Sequence, residues 1–438
     1  MFTAVLATQL TTGPLPLVAV ATGAVALAWL LARRPVTRWL PRSIAAGALG
    51  TGVGYLAGWI LGDVLDVFGV TPSLGSRTWF ALALGAVAVA VLRLVTAPRR
   101  RGAREAASVT RTGRPLRWLA VLCVPLFVLV GAVGVNADTG EYPTLAAVVG
   151  KGYPAIELPA VAGGAGRTAA VAPSAVGRVG SVTIPATTSG FDARSAVVYL
   201  PPVALVRHPP KLPVLVMMSG QPGGPDQVFR SGRLVSLLDA YARAHHGYAP
   251  IVVSPDQLGA PDHNPMCVDS PLGNSAGYIT TDVTAWIGTH LNVLPGRESW
   301  AVGGFSQGGT CAIQFGAGHP DLYGNILDIA GEVAPADGSL RATVDRGFGG
   351  SDAAYRAATP AALLAAHAPY SQTVGVFVAG SLDSRFGPGL ATVAAAAQRA
   401  GIDAHTLVSP GTAHDWYTVA FGFRHALDTF GERWGFDA

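Results

Sequence analysis

The 438-residue sequence predicts four transmembrane helices followed by an α/β domain, with a mostly parallel central sheet covered by helices on both faces. Long apolar stretches are confined to residues 1–135, whereas short apolar runs alternate with helix-length segments from Ser181 onward. Charge divides in the same way, with a net +10 in residues 1–135 and −6 in residues 136–438. We therefore expect a membrane domain at 1–135, a flexible Ala/Gly/Pro-rich tether at 136–180 and an α/β domain at 181–438.

Four apolar stretches approach the ~20 residues that a helix needs to cross a bilayer. They are Pro14–Ala32, Ser43–Gly62, Thr78–Ala97 and Trp118–Val135. No ionisable side chain lies near the middle of any of them, which favours anchoring over a transport pathway. A cleaved signal peptide is the alternative for the first stretch. That stretch lacks a basic n-region, however, and three further spans follow it.

The arginines predict how these spans are oriented. Arginine-rich loops at 33–42 and 99–117 separate the first span from the second and the third from the fourth. The loop between the second and third spans instead carries Asp63 and Asp66. Because arginine resists translocation, both basic loops should be cytoplasmic. The amino terminus and everything after Val135 are then extracytoplasmic.

The overall charge gives no reason to expect a nucleic-acid partner. The net +4 of the chain comes from arginines between the spans, and the remainder is acidic. The adjacent histidines His245 and His246 lack the spacing that lets two imidazoles converge on one metal. We expect neither a metal nor a cofactor.

The second half of the chain alternates between predicted strands and helices. The strands are Ser181–Ile184, Ala196–Leu200, Val214–Met218, Ile251–Ser254, Trp300–Phe305, Ile326–Ala330, Val374–Ala379 and Thr406–Ser409. The helices are Gly232–Ala244, Tyr278–Leu291, Gln307–Gly318, Gly389–Ala400 and Tyr417–Trp434. Two strands followed by strand–helix alternation imply a mixed, mostly parallel sheet.

A short motif at Gly304–Gly308 fits the Gly-x-Ser-x-Gly pattern of a nucleophile elbow. In such a turn a serine stands above a parallel sheet, between a strand and a helix. The chain has 55 glycines, so the pattern also arises by chance, and Gly273–Gly277 matches it around Ser275. Ser306 follows a strand-like run and precedes small residues entering a helix, whereas Ser275 has no strand before it. Ser306 is therefore the candidate nucleophile.

A serine nucleophile needs a base and an acid that orients the base. After an elbow, the expected order is Ser, then Asp or Glu, then His, each in a loop that follows a strand. Asp383 and His414 meet this requirement, so we assign them as acid and base; a turn or helix-cap role is the alternative for Asp383. The lesser candidates are Glu332, Asp345 and Asp352 as acids, and His405 and His425 as bases.

An oxyanion formed at Ser306 needs backbone N–H donors. The amide of Gln307, directly after the nucleophile, is one candidate. The second should lie in the loop 219–224, after the third strand. We favour the amide of Gln221, because Gly220 permits the turn and proline at the next position has no N–H. The alternative is that the loop 219–224 is an ordinary Gly/Pro loop with no role in binding an oxyanion.

Two of the three cysteines lie in the α/β domain, outside the membrane, where a disulfide can form. Cys311 enters the helix behind Ser306, and Cys267 lies in the loop after the fourth strand. We predict a disulfide between them. Cys123 falls in the fourth span and is expected to face lipid or another helix.

From about Gly180 to Trp434 the sequence resembles the esterase D and antigen 85 branch of the α/β-hydrolase superfamily. The segments that carry the resemblance are Ala196–Pro202, the loop after the third strand, Tyr278–Val283, Gly303–Gly309, His319–Tyr323 and Gly411–Trp416. It implies an α/β-hydrolase fold and catalytic roles for Ser306 and His414. It also implies that Trp416 forms a wall of the acyl site.

Two features depart from antigen 85 proteins, whose acid is a glutamate and which are secreted without spans. The choice of Asp383 follows the broader esterase pattern, and the four spans weaken any inference of mycolyl transfer. The sequence thus predicts a membrane-anchored, extracytoplasmic serine esterase acting on a lipid or cell-envelope ester. The alternatives are an acyltransferase that uses a sugar or lipid hydroxyl, and an inactive hydrolase-fold scaffold.

Overall fold

The computed structural model describes residues 5–32, 35–96, 113–150, 152–159, 161 and 175–436, with the side chains of 113–117 excepted. The chain divides into two compact units, Met1–Gly150 and Lys151–Ala438. The first unit therefore ends some residues later than the predicted membrane domain. Each unit is described by itself.

Four long helices form the first unit. They are α1 (Pro14–Leu31), α2 (Val36–Trp59), α3 (Leu74–Val95) and α4 (Gly113–Thr139), with a π-helical segment (Ile60–Val64) after α2 and a short α5 (Leu145–Val149) after α4. All four are long and apolar enough to cross a membrane, with mean hydropathy between 1.5 and 2.6 in their most apolar windows. Four apolar helices were predicted, and the described residues contain four.

The third helix caps the first through Arg93. Its guanidinium donates to the carbonyl oxygens of Trp29 and Leu30 at 2.9 and 2.7 Å and lies 4.3 Å from the centre of the Trp29 ring. These carbonyls belong to the last turn of α1, where no helical N–H remains to bond them. A buried arginine on α3 thus completes the end of α1.

Two expectations fall partly outside the described residues. Arg33, Arg34 and residues 97–112, which carry most of the predicted cytoplasmic charge, are not described. The tether predicted at 136–180 contains ordered ends: α4 runs to Thr139, and Ser181 exchanges backbone hydrogen bonds with Pro154 and Ile156. Residues 162–174 of that tether lie outside the described part.

An eight-stranded sheet forms the core of the second unit. Its strands are β1 (Arg178–Val182), β2 (Ala196–Leu200), β3 (Val214–Met218), β4 (Ile251–Ser254), β7 (Trp300–Phe305), β8 (Asn325–Ile329), β9 (Val374–Gly380) and β10 (Asp403–Ser409). Their order in the sheet is β1-β2-β4-β3-β7-β8-β9-β10. Strand β2 is antiparallel to both of its neighbours, and all other neighbours are parallel. The remaining pair, β5 (Asp269–Ser270) and β6 (Gly273–Asn274), forms a separate hairpin.

Helices connect and cover these strands. They are α6 (Gln227–Arg230), α7 (Leu234–Ala244), α8 (Ser275–Gly277), α9 (Thr284–His290), α10 (Gln307–Gly318), α11 (Leu340–Gly347), α12 (Asp352–Ala357), α13 (Pro360–His367), α14 (Gly387–Arg399) and α15 (Trp416–Trp434). The predicted helix Tyr278–Leu291 is a π-helical segment, Tyr278–Val283, followed by α9. The predicted fold class, a mixed and mostly parallel sheet with helices, is confirmed.

Parallel pairing gathers the candidate residues at one edge of the sheet. Phe305 at the end of β7 pairs with Ile329 of β8, and Gly380 at the end of β9 pairs with Ser409 of β10. Strand β3 runs parallel to β7 on its other side. The loops after β3, β7, β9 and β10 therefore emerge together.

Candidate active site

Ser306 occupies a strained turn between β7 and α10. Its φ of 57° and ψ of −120° lie where side chains other than glycine are rare. The turn is tight: a Cβ on Gly304 would collide with the carbonyl of Gly308, and one on Gly308 would collide with that of Ser219. This is the geometry of a nucleophile elbow, and its glycines are required by close backbone approach.

Asp383 and His414 meet across the ends of β9 and β10. The imidazole Nδ1 donates to Asp383 Oδ2 at 3.0 Å, and both side chains are buried. Asp383 Oδ1 accepts the N–H of Phe386, which fixes the carboxylate. The imidazole ring packs against the rings of Phe305 and Phe386, with centroids 4.7 and 4.2 Å away. The structure thus brings the predicted acid and base together beside the elbow.

The second nitrogen of this imidazole is free. Among the described residues, His414 Nε2 is buried and has no hydrogen-bond partner. Because Nδ1 carries the proton given to Asp383, Nε2 is left as an acceptor. A base in this state can take a proton from a serine hydroxyl. Ser306 directly follows Phe305, whose ring packs on this imidazole.

The loop after β3 lies directly against Ser306. A Cβ on Gly220 would stand 3.2 Å from the Ser306 Cβ. The side chain of Gln221 is turned to the Asp262 carbonyl at 3.0 Å, and its backbone N–H donates to no described backbone group. Gln307 is the first residue of α10, so its N–H has no acceptor within the helix. Both predicted oxyanion donors therefore lie on segments that adjoin the serine.

A buried amide network that the sequence did not predict joins these two segments. Gln257 Nε2 donates to the Ser219 carbonyl at 2.7 Å and to Gln307 Oε1 at 3.0 Å. Gln307 Nε2 in turn donates to Asn264 Oδ1 at 3.0 Å. Gln257 and Asn264 sit in an irregular loop after β4, where nothing in a single sequence distinguishes them from solvent-facing residues. The network holds the β3 loop and the elbow helix in one position.

An ion pair, also not predicted, supports the same loop from the other side. Arg194 pairs bidentately with Asp256, Nε to Oδ2 at 2.8 Å and Nη2 to Oδ1 at 2.7 Å. Its Nη1 donates to the Gly223 carbonyl at 3.0 Å. Asp256 has no exposed surface. Arg194 therefore both neutralises a buried carboxylate and anchors the loop that carries Gln221.

The other residues that the sequence singled out make packing or surface contacts and do not join Asp383 and His414. Trp416 is buried and packs on Phe305 at 5.2 Å between ring centroids, so it supports the ring that contacts His414. Ser275 has no exposed surface and begins the short α8. Of the remaining acids and bases, Asp345 pairs with Arg341, His405 lies on β10 near Asp403, and His425 packs on Phe421.

Two carboxyl groups at the end of β8 have raised pKa values. Burial raises the pKa of Asp328 to about 8, against the hydrogen bond from the Gly331 N–H. Burial also raises the pKa of Glu332 to about 7, against the nearby positive charge of Arg385. The Glu332 N–H donates to the Thr310 hydroxyl at 2.9 Å. Since His414 bonds Asp383, Glu332 is not the carboxylate that orients the base.

The structure joins Cys267 and Cys311 in a disulfide, with Cα atoms 5.4 Å apart. It links the loop after β4 to α10, behind the elbow. Cys123 is a buried free cysteine. The bridge therefore fastens the loop that contains Gln257 and Asn264 to the elbow helix.

Alkylation of the denatured, non-reduced full chain is expected to modify one cysteine, Cys123, and prior reduction to raise the number to three. Peptide mapping by mass spectrometry distinguishes the sites. Loop-closure entropy for a separation of 44 residues predicts that the Cys267→Ala/Cys311→Ala variant loses about 4 kcal/mol of unfolding free energy. Alkylation of Cys267 and Cys311 without reduction would contradict the bridge.

The sheet order, the elbow and the loop arrangement define an α/β hydrolase. Two solved structures share this fold. One is a ferulic acid esterase, with a TM-score of 0.50 and 17% identity, covering 59% of this chain and 98% of that one. The other is an S-formylglutathione hydrolase from Agrobacterium tumefaciens, with a TM-score of 0.50 and 22% identity, covering 62% and 99%. At these identities the likeness concerns the fold alone.

A family profile described as putative esterase matches residues 192–427, more than half of the chain. The chain therefore belongs to this esterase family, in agreement with the prediction from its sequence. An uncharacterized protein of Corynebacterium glutamicum is 38% identical over 287 residues, which cover 62% of this chain. The match spans 66% of that protein's length, just under two thirds.

Proposed function

We propose that this protein is a membrane-anchored, extracytoplasmic serine esterase that cleaves an acyl ester of a lipid or of the cell envelope. The observation that carries the proposal is the His414 imidazole, bonded to Asp383 through Nδ1 while its buried Nε2 has no partner among the described residues. It stands beside an elbow that presents Ser306 in a backbone conformation typical of nucleophiles.

The proposed reaction has two halves. Ser306 Oγ attacks the ester carbonyl while its proton passes to His414 Nε2, and Asp383 stabilises the imidazolium. The amides of Gln221 and Gln307 bind the oxyanion. Collapse breaks the bond to the alcohol, which leaves with the proton from Nε2. Water then attacks the acyl-enzyme with Nε2 as base, and release of the acid regenerates the Ser306 hydroxyl.

Membrane anchoring favours a lipid or cell-envelope ester as the substrate. The four apolar helices of the first unit are long enough for such anchoring. An enzyme held at the membrane meets lipid and envelope esters at that surface. Extracytoplasmic placement follows from the arginine-rich loops.

A membrane-impermeant organophosphonate ester applied to intact cells tests nucleophile and sidedness together. We expect covalent modification of Ser306 in intact cells, mapped by peptide mass spectrometry, and none in Ser306→Ala. Modification that appears only after lysis contradicts the extracytoplasmic placement and leaves the nucleophile intact. Absence of modification under both conditions contradicts the nucleophile. Acyl transfer is separated from hydrolysis by adding a sugar or lipid alcohol and identifying the acylated product.

A further inference from the structure

The helices of the first unit border a partly open apolar cavity of about 400 Å³. Side chains of all four long helices line it, among them Leu27 of α1, Ile44 of α2, Val89 of α3 and Phe127 of α4. The volume falls in the range of sites that hold small ligands, ~300–1,000 Å³. Because the lining is almost wholly apolar, water has too few partners to fill the cavity.

The length of the cavity matches one leaflet of a bilayer. On α1 its lining extends from Val20 to Leu31. At 1.5 Å per residue this is about 16 Å. Half of a typical hydrocarbon core is about 15 Å. On α2 and α3 the lining begins with Ser43 and Val89 at the Leu31 end and runs toward Thr51 and Trp79.

A helix of a partner protein does not fit this space. A helix of ~10 Å diameter and ~16 Å length occupies about 1,250 Å³. This exceeds all the empty space in and around the cavity, about 1,020 Å³. A single hydrocarbon chain is much thinner. The dimensions therefore favour one acyl chain over a protein segment.

Basic side chains mark one end of the cavity. Arg42 directly precedes the lining residue Ser43, and Arg38 lies one turn earlier on α2. Both residues are exposed, and neither forms an ion pair with a described residue. The topology prediction puts this end at the cytoplasmic surface. Basic pockets between transmembrane helices on that side bind anionic head groups.

We propose that this cavity binds one acyl chain of an anionic phospholipid from the cytoplasmic leaflet, with the phosphate at Arg38 and Arg42. The site is separate from the esterase centre and belongs to the first unit alone. The inference rests on the proposed membrane insertion of α1–α4, which resistance to alkaline carbonate extraction tests independently.

Photocrosslinking of the full chain in phosphatidylcholine nanodiscs tests the site. The probe is phosphatidylglycerol with a diazirine on one acyl chain, and its control is phosphatidylcholine with the same chain. We expect the anionic probe to label the cavity-lining residues of α1 and α3 at least about fivefold more than the control, since each arginine near the surface contributes about that factor. Arg38→Gln/Arg42→Gln should abolish this preference.

Two alanines on α1 provide a matched pair. Both are exposed on the same helix, but Ala24 lines the cavity and Ala21 does not. Ala24→Phe is expected to lower cavity labelling several-fold, and Ala21→Phe to leave it unchanged. Equal labelling by both probes in the wild-type chain, or labelling spread evenly over the lipid-facing surface, identifies bulk lipid and overturns the proposal. The wild-type comparison decides the question even where a variant fails to fold.

Discussion

Replacing Ser306 by alanine is expected to lower kcat for a chromogenic short-chain ester by on the order of a million-fold. Loss of the nucleophile in a serine hydrolase has that size, because base and acid act through the serine. The variant should fold normally, since the Ser306 hydroxyl forms no hydrogen bond with a described residue. Turnover by the purified full chain and its melting temperature are the measurements.

Ser275→Ala is the matched control, because Ser275 stands in the second Gly-x-Ser-x-Gly motif. Its hydroxyl is fully buried and has no partner among the described residues. Removing an unsatisfied buried hydroxyl costs nothing in hydrogen bonding. We expect unchanged turnover in this variant. Unchanged turnover in Ser306→Ala would contradict the assignment of Ser306 as the nucleophile.

Arg194→Met is expected to lower the unfolding free energy of the second unit by about 3 kcal/mol, because the buried Asp256 carboxylate loses its counter-charge. The variant leaves it only the backbone N–H groups of residue 194 and Leu258 as donors. For a domain of this size the decrease corresponds to a drop of about 10 °C in melting temperature. Methionine keeps the apolar part of the arginine side chain, so the decrease in unfolding free energy measures the contribution of the guanidinium. Differential scanning calorimetry of the full chain follows the transition.

Arg341→Met is its control. Arg341 also pairs with an aspartate, Asp345, at 2.8 Å, but its side chain is 79% exposed. An exposed pair within one helix contributes about 0.5 kcal/mol or less. A shift in Arg194→Met no larger than that in Arg341→Met would contradict the inferred role of the buried pair.

Local patterns were enough to predict the sheet and the elbow. Strands β2, β3, β4 and β7 have the predicted bounds, because each is a buried apolar run flanked by turn residues. The pairing of Asp383 with His414 also followed, since each lies just after a strand and parallel strands bring such loops together. Edge strand β1 begins three residues before its prediction, as one of its faces is only partly buried.

The parts that were missed depend on contacts between distant segments. Arg194 and Asp256 are 62 residues apart, and Gln257 and Gln307 are 50 apart. No periodicity or motif relates such pairs. The helices between Leu340 and His367 were also missed, because this stretch follows an irregular loop and α12 buries none of its residues. The positions of these helices are defined only by their tertiary contacts.

The capping of α1 by Arg93 has a consequence for biogenesis. The first helix leaves the ribosome before the third, yet its Trp29 carbonyl receives a hydrogen bond from a side chain 64 residues downstream. The neighbouring Leu30 carbonyl also accepts from the Trp39 indole of α2, which is made earlier. During synthesis the Trp29 carbonyl must therefore be satisfied by water at the membrane surface until α3 arrives. The end of α1 is therefore completed only after α3 has been synthesised and inserted.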